Sequence, residues 1–323
     1  MVRAIQVNAV GGPEVLMQQT VDVGAPGPGE VRLRHTAIGV NYIDVYYRTG
    51  LYAAPLPLIP GMEAAGVVEA IGQGVSSVSV GDRVSYAGAL GAYSEARIIN
   101  ADRLIRLPGS IPDDLAAAIT LKGLTAQMLL RQVYKVGRGD TILIHAAAGG
   151  LGLLMTQWAK ALGAVVIGTV SSDEKAAVAK AHGCDHPIVY TRENFVTRVQ
   201  EITDGKKLPV VYDSVGKDTF LGSLDCLRPH GLMVVCGASS GPVPPVEVSQ
   251  LAQRGSLFLT RSVVFHYTAG RADLEAAAAD LFDAVATGKL RVSKPHSYDL
   301  AKAESAHRDL EGRRTTGATI LTV

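Results

Sequence analysis

The stretch Ile142-Leu143-Ile144-His145-Ala146-Ala147-Ala148-Gly149-Gly150-Leu151-Gly152 constrains this chain more than any other. An apolar run enters a glycine turn, and a helical pattern starts at once. A second buried run, Val165-Val166-Ile167-Gly168-Thr169-Val170, follows about twenty residues after the turn and ends in Ser171-Ser172. Strand, glycine turn, helix and second strand are the order of a dinucleotide-binding unit, in which helix amides meet the pyrophosphate. A side chain at Gly150 would occupy the space of the pyrophosphate, and Gly152 lets the helix lie close to the strand. The turn departs from the plain G-x-G-x-x-G form, with Ala147 in the place of its first glycine.

The end of the second strand separates the two nicotinamide cofactors. An NAD site places a carboxylate there for the ribose 2′-hydroxyl, and that carboxylate repels a 2′-phosphate. Here Ser171 and Ser172 offer hydroxyls, with Lys175 one helical turn on, so NADPH is expected. Asp173 and Glu174 fall past the strand and are expected to face outward, while Tyr190 ends the next strand as a platform for adenine or a donor to the phosphate.

Around this motif, strand and helix patterns alternate from Thr141 to Cys236, the signature of a doubly wound parallel sheet. The first third is different. Short runs such as Val31–Ile38, Ala65–Ile71 and Val84–Tyr86, broken by Gly and Pro, predict a compact β-rich, barrel-like domain. Two helices are expected between them, one from Leu115 and another over Gly123–Val133. A final strand over Ala318–Val323 is expected to rejoin the first domain.

Composition excludes several classes. A net charge of +1 with no basic run disfavours nucleic acid and anionic membrane. No apolar stretch has the length of a membrane span, and the start lacks a signal-peptide core, so a cytoplasmic location is expected. The odd set Cys184, Cys226 and Cys236 has no short spacing and reads as buried apolar side chains.

Further segments complete a family pattern. They are Gly11-Gly12-Pro13-Glu14-Val15-Leu16, Gly39-Val40-Asn41-Tyr42-Ile43-Asp44, Arg48-Thr49-Gly50-Leu51-Tyr52, Gly81-Asp82-Arg83-Val84, Leu121-Lys122-Gly123-Leu124-Thr125, Val211-Tyr212-Asp213-Ser214-Val215-Gly216 and Gly312-Arg313-Arg314. With the glycine turn they make the chain resemble, over nearly its whole length, the zinc-free NADPH:quinone oxidoreductase (zeta-crystallin-like) branch of the medium-chain dehydrogenase/reductase superfamily. The resemblance implies an α/β chain with a Rossmann-type doubly wound sheet over residues 123–266. It also implies a GroES-like β-rich catalytic domain over 1–122 and 267–323, and a homodimer. It brings Asn41, Ile43 and Asp44 to the nicotinamide end, Gly149, Gly150 and Leu151 to the pyrophosphate, and Ser171, Lys175, Tyr190 and Arg313 to the 2′-phosphate. Thr125, Ser214, Gly237 and the loop Val263–Phe265, with Phe265, line the rest of the groove. Leu151 stands where the family carries Val, and Ala126-Gln127 where many relatives carry aromatics.

Zinc-dependent cousins place a Cys near the position of Asn41 and a Gly-His-Glu where this chain has Gly61-Met62-Glu63. No four-coordinate thiolate and imidazole set can be assembled, so no metal is expected. Without a metal an ordinary ketone is poorly polarised, whereas a quinone is already electron-poor. Asn41, Tyr46 and Tyr52 are the candidates for orienting the acceptor, with Tyr46 or water as proton source, while Tyr47 is expected to point away and Asp44 to hold backbone. Reduction of a quinone by NADPH is the expected reaction. The alternatives are reduction of an enone or 2-alkenal, and a non-catalytic NADPH-binding role, crystallin-like or AU-rich RNA-binding.

Overall fold

The computed structural model describes all residues from Met1 to Val323. It forms two compact units. The first contains Met1–Leu124, Thr268–Asp283 and Val292–Val323, and the second Thr125–Tyr267 and Ala284–Arg291.

In chain order the strands and helices of the first unit before the crossover are β1 (Val2–Gln6), β2 (Met17–Val21), β3 (Glu30–Val40), α1 (Tyr42–Arg48), β4 (Glu63–Ile71), β5 (Arg83–Ala87), β6 (Ala96–Asn100), β7 (Ile105–Arg106) and α2 (Asp113–Met128). β3 is the organising strand. It pairs antiparallel with β4 and with β6, and its buried Val31, Leu33 and Ile38 enter a core with Val68, Val84, Tyr86 and Leu104. Each such aliphatic side chain contributes about 1.5–3 kcal/mol by leaving water. α2 crosses from one unit into the next as a single helix, where two were expected. Gly123, read as the first residue of the second helix, lies within it. A Cβ there would come 2.4 Å from the Leu281 side chain, so this glycine serves close packing rather than marking a new helix.

The second unit continues with β8 (Thr141–Ile144), α3 (Gly150–Ala161), β9 (Val165–Val170), α4 (Asp173–Ala181), β10 (His186–Val189), α5 (Phe195–Ile202), β11 (Leu208–Asp213), α6 (Phe220–Asp225), β12 (Leu227–Val235), α7 (Ser249–Gln253), β13 (Phe258–Arg261) and α8 (Val264–Tyr267). Its six strands are all parallel in the order β10-β9-β8-β11-β12-β13. The order reverses beside β8, and ligands of doubly wound sheets bind at such a switch point. The loop expected at Val263–Phe265 is a correction: Val264 and Phe265 begin α8.

α9 (Arg271–Ala286), β14 (His296–Asp299), α10 (Ala303–Glu311) and β15 (Thr319–Thr322) follow. β15 returns to the first unit as the sequence predicts and pairs antiparallel with β3, Leu321 opposite Ile38. No helix is long and apolar enough to cross a membrane.

Candidate functional site

The glycine turn lies between β8 and α3. Ala146, not a glycine, takes the left-handed conformation at φ +53°, and its carbonyl accepts the Gly149 amide at 2.9 Å. A Cβ on Gly152 would meet that same carbonyl oxygen at 2.3 Å and Ala147 Cα at 2.8 Å. Gly168 on β9 makes room for Ala147, because a Cβ there would lie 2.6 Å from the alanine methyl. Close packing thus brings the N-terminus of α3, with its unsatisfied amides and partial positive charge, to the end of β8.

A buried polar chain holds this turn. The Ala146 amide donates to Thr169 Oγ1 at 3.4 Å, and Thr169 Oγ1 lies 2.9 Å from His145 Nδ1. His145 Nε2 faces Ser223 Oγ at 2.9 Å, and that hydroxyl donates to Asp213 Oδ2 at 3.0 Å. Burial pushes the His145 pKa down, which keeps the ring neutral. Serine, histidine and aspartate occur together here, but the serine sits between the other two and all are buried, so no nucleophile is exposed. Asp213 also accepts the amides of Val215 at 2.8 Å and Gly216 at 2.9 Å, which shapes the loop carrying Ser214. A Cβ on Gly237 would lie 2.5 Å from the Ser214 carbonyl oxygen.

At the end of β9, Ser172 caps α4 by accepting the Lys175 amide at 3.3 Å, and the Lys175 side chain is half-buried. Asp173 is exposed and held by the two terminal guanidinium nitrogens of Arg192, at 2.5 and 2.6 Å. Its charge is therefore already matched. Tyr190 is 39% exposed after β10, enough to offer a ring face. The donor set suits a phosphate better than a ribose hydroxyl. Thr125 lies on α2, and Phe265 is half-buried on α8.

The first unit carries a second polar cluster at the start of α1. Asn41 is its N-cap and is nearly buried. The Asn41 amide donates to Asp44 Oδ2 at 2.9 Å, and Asn41 Nδ2 donates to Glu63 Oε2 at 2.8 Å. Tyr93 donates its hydroxyl to Asp44 Oδ2 at 3.0 Å and faces His307 Nε2 at 2.9 Å. Arg48 Nη1 lies 3.1 Å from His307 Nδ1, and the same guanidinium grips both carboxylate oxygens of Glu311 at 2.6 and 2.9 Å. Because arginine only donates, His307 accepts at Nδ1 and carries its proton on Nε2. α1 is thereby tied to α10, which leads into Arg313, an exposed residue in left-handed backbone at φ +57°.

Tyr46 is buried on α1, and the Tyr52 ring lies 5.2 Å from it, centre to centre. The Tyr52 amide donates to the Tyr46 carbonyl at 3.0 Å. Tyr47, expected to point away, packs its ring edge-on against Tyr52 at 5.6 Å. Ile43, the second residue of α1, is half-buried. Within the first unit Asn41, Asp44, Tyr46 and Tyr52 therefore belong to one helix and its following turn. Ser171, Lys175 and Tyr190 gather at the ends of β9 and β10.

Sequence reasoning missed Glu63, Lys122, Tyr93, Arg48 and His307. One signal was available: Glu63 is a carboxylate opening an apolar strand, and a lone charge in such a run needs a partner. No group of three or more His, Cys, Asp or Glu side chains is arranged to hold a metal ion.

Burial dominates the titration of this cluster. Desolvation pushes Asp44 up to about 7, while burial and Arg48 push His307 down to about 3. His35, buried on β3, is lowered to about 4 for the first of these reasons. The two histidines stay neutral in the native state, so their stabilisation is lost as pH falls below their ordinary values. Asp44 has the opposite sign: its contribution is full below the ordinary carboxylate range and is lost as pH rises through about 7. Asp44→Asn is expected to melt above the parent protein at about pH 8, with the gap closing towards about pH 5. Thermal denaturation across that range checks this; a gap independent of pH counts against a buried, titrating Asp44.

A Rossmann-type sheet and a GroES-like β-domain in one chain are the architecture of the medium-chain dehydrogenases/reductases. Residues 27–109 match the alcohol dehydrogenase GroES-like domain, and residues 150–284 match the zinc-binding dehydrogenase family. A quinone oxidoreductase of Pseudomonas aeruginosa is 53% identical over 99% of both chains. A 2-haloacrylate reductase of a Burkholderia species is 47% identical, again over 99% of each. The crystal structure of Escherichia coli quinone oxidoreductase complexed with NADPH superposes with a TM-score of 0.98 at 46% identity, covering 99% of this chain and 100% of that one. The chain belongs to the quinone oxidoreductase branch of the medium-chain dehydrogenase/reductase superfamily.

Proposed function

We propose that this protein reduces quinones with NADPH, without a metal, as a cytoplasmic homodimer. The observation that carries the reading is the end of β9. It has two serines and Lys175, and Asp173 beside them is paired with Arg192, in a chain similar throughout its length to quinone oxidoreductases. The Escherichia coli relative was solved with NADPH, which supports the same cofactor here.

Bound NADPH supplies a hydride to an electron-poor ring that becomes aromatic on reduction. In this reading Gly149, Gly150 and Leu151 hold the pyrophosphate, and Ser171, Lys175, Tyr190 and Arg313 hold the 2′-phosphate. Asn41, Ile43, Thr125, Ser214, Gly237 and Phe265 line the groove. Asp44 is wholly buried and acts from behind, through the Asn41 amide and Tyr93. Tyr46 and Tyr52 orient the acceptor, and Tyr46 or water delivers the proton. Tyr46→Phe is expected to cost less than about 100-fold in kcat with a reactive quinone, since the product needs little protonation in the rate-limiting step. Complete loss in a folded variant would mean that the tyrosine is an obligatory acid.

Stoichiometric oxidation of NADPH by a para-quinone, with NADH a poor substitute, tests the reading. Calorimetry finding no uptake of NADPH, or stoichiometric zinc in the purified protein, would sink it. A second reading has support in the Burkholderia relative: reduction of a carbon–carbon double bond conjugated to a carbonyl group. A panel of quinones against haloacrylates and enones ranks the two.

β13 supports the homodimer. It is an edge strand, and its Phe258 is 61% and Leu259 37% exposed. Such an edge is ready to pair with another strand. Phe258→Glu is expected to shift the sedimenting mass from dimer to monomer; an unchanged dimer would place the contact elsewhere.

A further inference from the structure

Beneath Asn41 lies a buried ion pair that the reaction outlined above leaves unused. Glu63 opens β4 with no exposed surface. Its Oε1 accepts the Leu121 amide at 2.6 Å. Its Oε2 accepts Asn41 Nδ2 at 2.8 Å and Lys122 Nζ at 3.4 Å. The same ammonium donates to the carbonyl of Val40, the residue before Asn41, at 3.3 Å. Asn41 is thus held twice, through the peptide that precedes it and through its carboxamide. Gly39 makes the arrangement possible, since a Cβ there would lie 2.3 Å from both Glu63 Oε2 and the Ala117 carbonyl oxygen.

Both Glu63 oxygens act as acceptors, Oε1 for the Leu121 amide and Oε2 for Lys122, so Asn41 turns its NH2 group to Glu63. The Asp44 amide donates to the main-chain oxygen of Asn41 at 3.0 Å, which leaves the side-chain Oδ1 able to accept from a ligand. We propose that Glu63 and Lys122 are positioning residues for Asn41: they set the sense of its carboxamide, so that Oδ1 receives an N–H or O–H donor of the bound nicotinamide nucleotide. The inference rests on the reading of Asn41 as a cofactor-facing residue. It also divides the labour of the site. The oxygen of a quinone needs a donor, which Tyr46 and Tyr52 provide, while Asn41 works as an acceptor for the nucleotide. Lys122 neutralises the carboxylate that enforces this, which makes the buried charge tolerable.

The test is a double-mutant cycle read by NADPH fluorescence titration and by kinetics with a para-quinone. Glu63→Gln supplies an amide donor in place of an oxygen, which allows the Asn41 carboxamide to reverse. It is expected to raise the dissociation constant and KM for NADPH about tenfold, with kcat at saturating nucleotide within about threefold. Lys122→Met follows it, and Lys122→Arg recovers most of the loss. The pair Asn41→Ala with Glu63→Gln binds no more weakly than Asn41→Ala alone, because Glu63 acts only through Asn41. Additive losses in the pair overturn the positioning role. So does an unchanged KM in folded Glu63→Gln, or in Lys122→Met where the first variant does not fold. Wild-type protein that takes up no NADPH ends the functional reading and this role together, whereas normal uptake with additive losses ends this role alone.

Discussion

Gly152→Val is expected to remove NADPH binding, with affinity down by at least about 100-fold and a lowered melting temperature. The first side-chain carbon at this position would sit 2.3 Å from the Ala146 carbonyl oxygen and 2.8 Å from Ala147 Cα. Those are backbone atoms, so no rotamer change relieves the clash. Ala146 is already left-handed and tied through Thr169 and His145 to the buried Asp213 chain, so the turn cannot retreat easily. The helix must move instead. Overpacking of this kind costs about 1–3 kcal/mol in stability, and more where the backbone is trapped. A shift of about 1 Å at the N-terminus of α3 also takes its amides out of hydrogen-bond reach of a phosphate. Calorimetry with NADPH, alongside circular dichroism to establish folding, checks the result. A folded variant with affinity within about threefold of the parent would show that the turn does not cradle the nucleotide.

Lys175→Glu is expected to lower kcat/KM for NADPH by about 100-fold while changing that for NADH less than about threefold. A charge-assisted hydrogen bond to phosphate contributes about 1.5–3 kcal/mol, and about 2.7 kcal/mol corresponds to 100-fold. The new carboxylate adds repulsion that NADH, which lacks the 2′-phosphate, does not feel. Arg192 cannot readily compensate, because both its terminal nitrogens are bound by Asp173. Equal losses with both nucleotides would mean that Lys175 supports α4 rather than the phosphate.

The elements that the sequence announced most clearly are those with strong local signals. β8, the turn, β9 and the serines after it were legible because a buried parallel strand is a continuous apolar run and glycine marks close approach. β15 was legible for the same reason, down to its return to the first unit. β13 and β14 were not legible. Both lie at sheet edges with largely exposed side chains, so no alternation of apolar and polar residues marks them. Gly123 was misleading because a glycine that admits Leu281 into a helix groove looks, in sequence, like one that separates two helices.

The candidate site divides along the same line. Asn41, Tyr46, Tyr52, Ser171 and Lys175 stand near recognisable turns and strand ends, where a residue type and its spacing already carry chemical meaning. The partners behind them come from far along the chain: Glu63 and Lys122 beneath Asn41, and Tyr93 and His307 behind Asp44. Local sequence determined the dinucleotide motif, the cofactor preference it implies and the alternation that builds the parallel sheet, because each follows from contacts within a few dozen residues. Only the tertiary structure decided which carboxylates are buried, which way the Asn41 carboxamide turns and how α10 is tied to α1. Those depend on side chains up to 263 positions apart whose pairing is enforced by the cost of leaving a charge dry and alone.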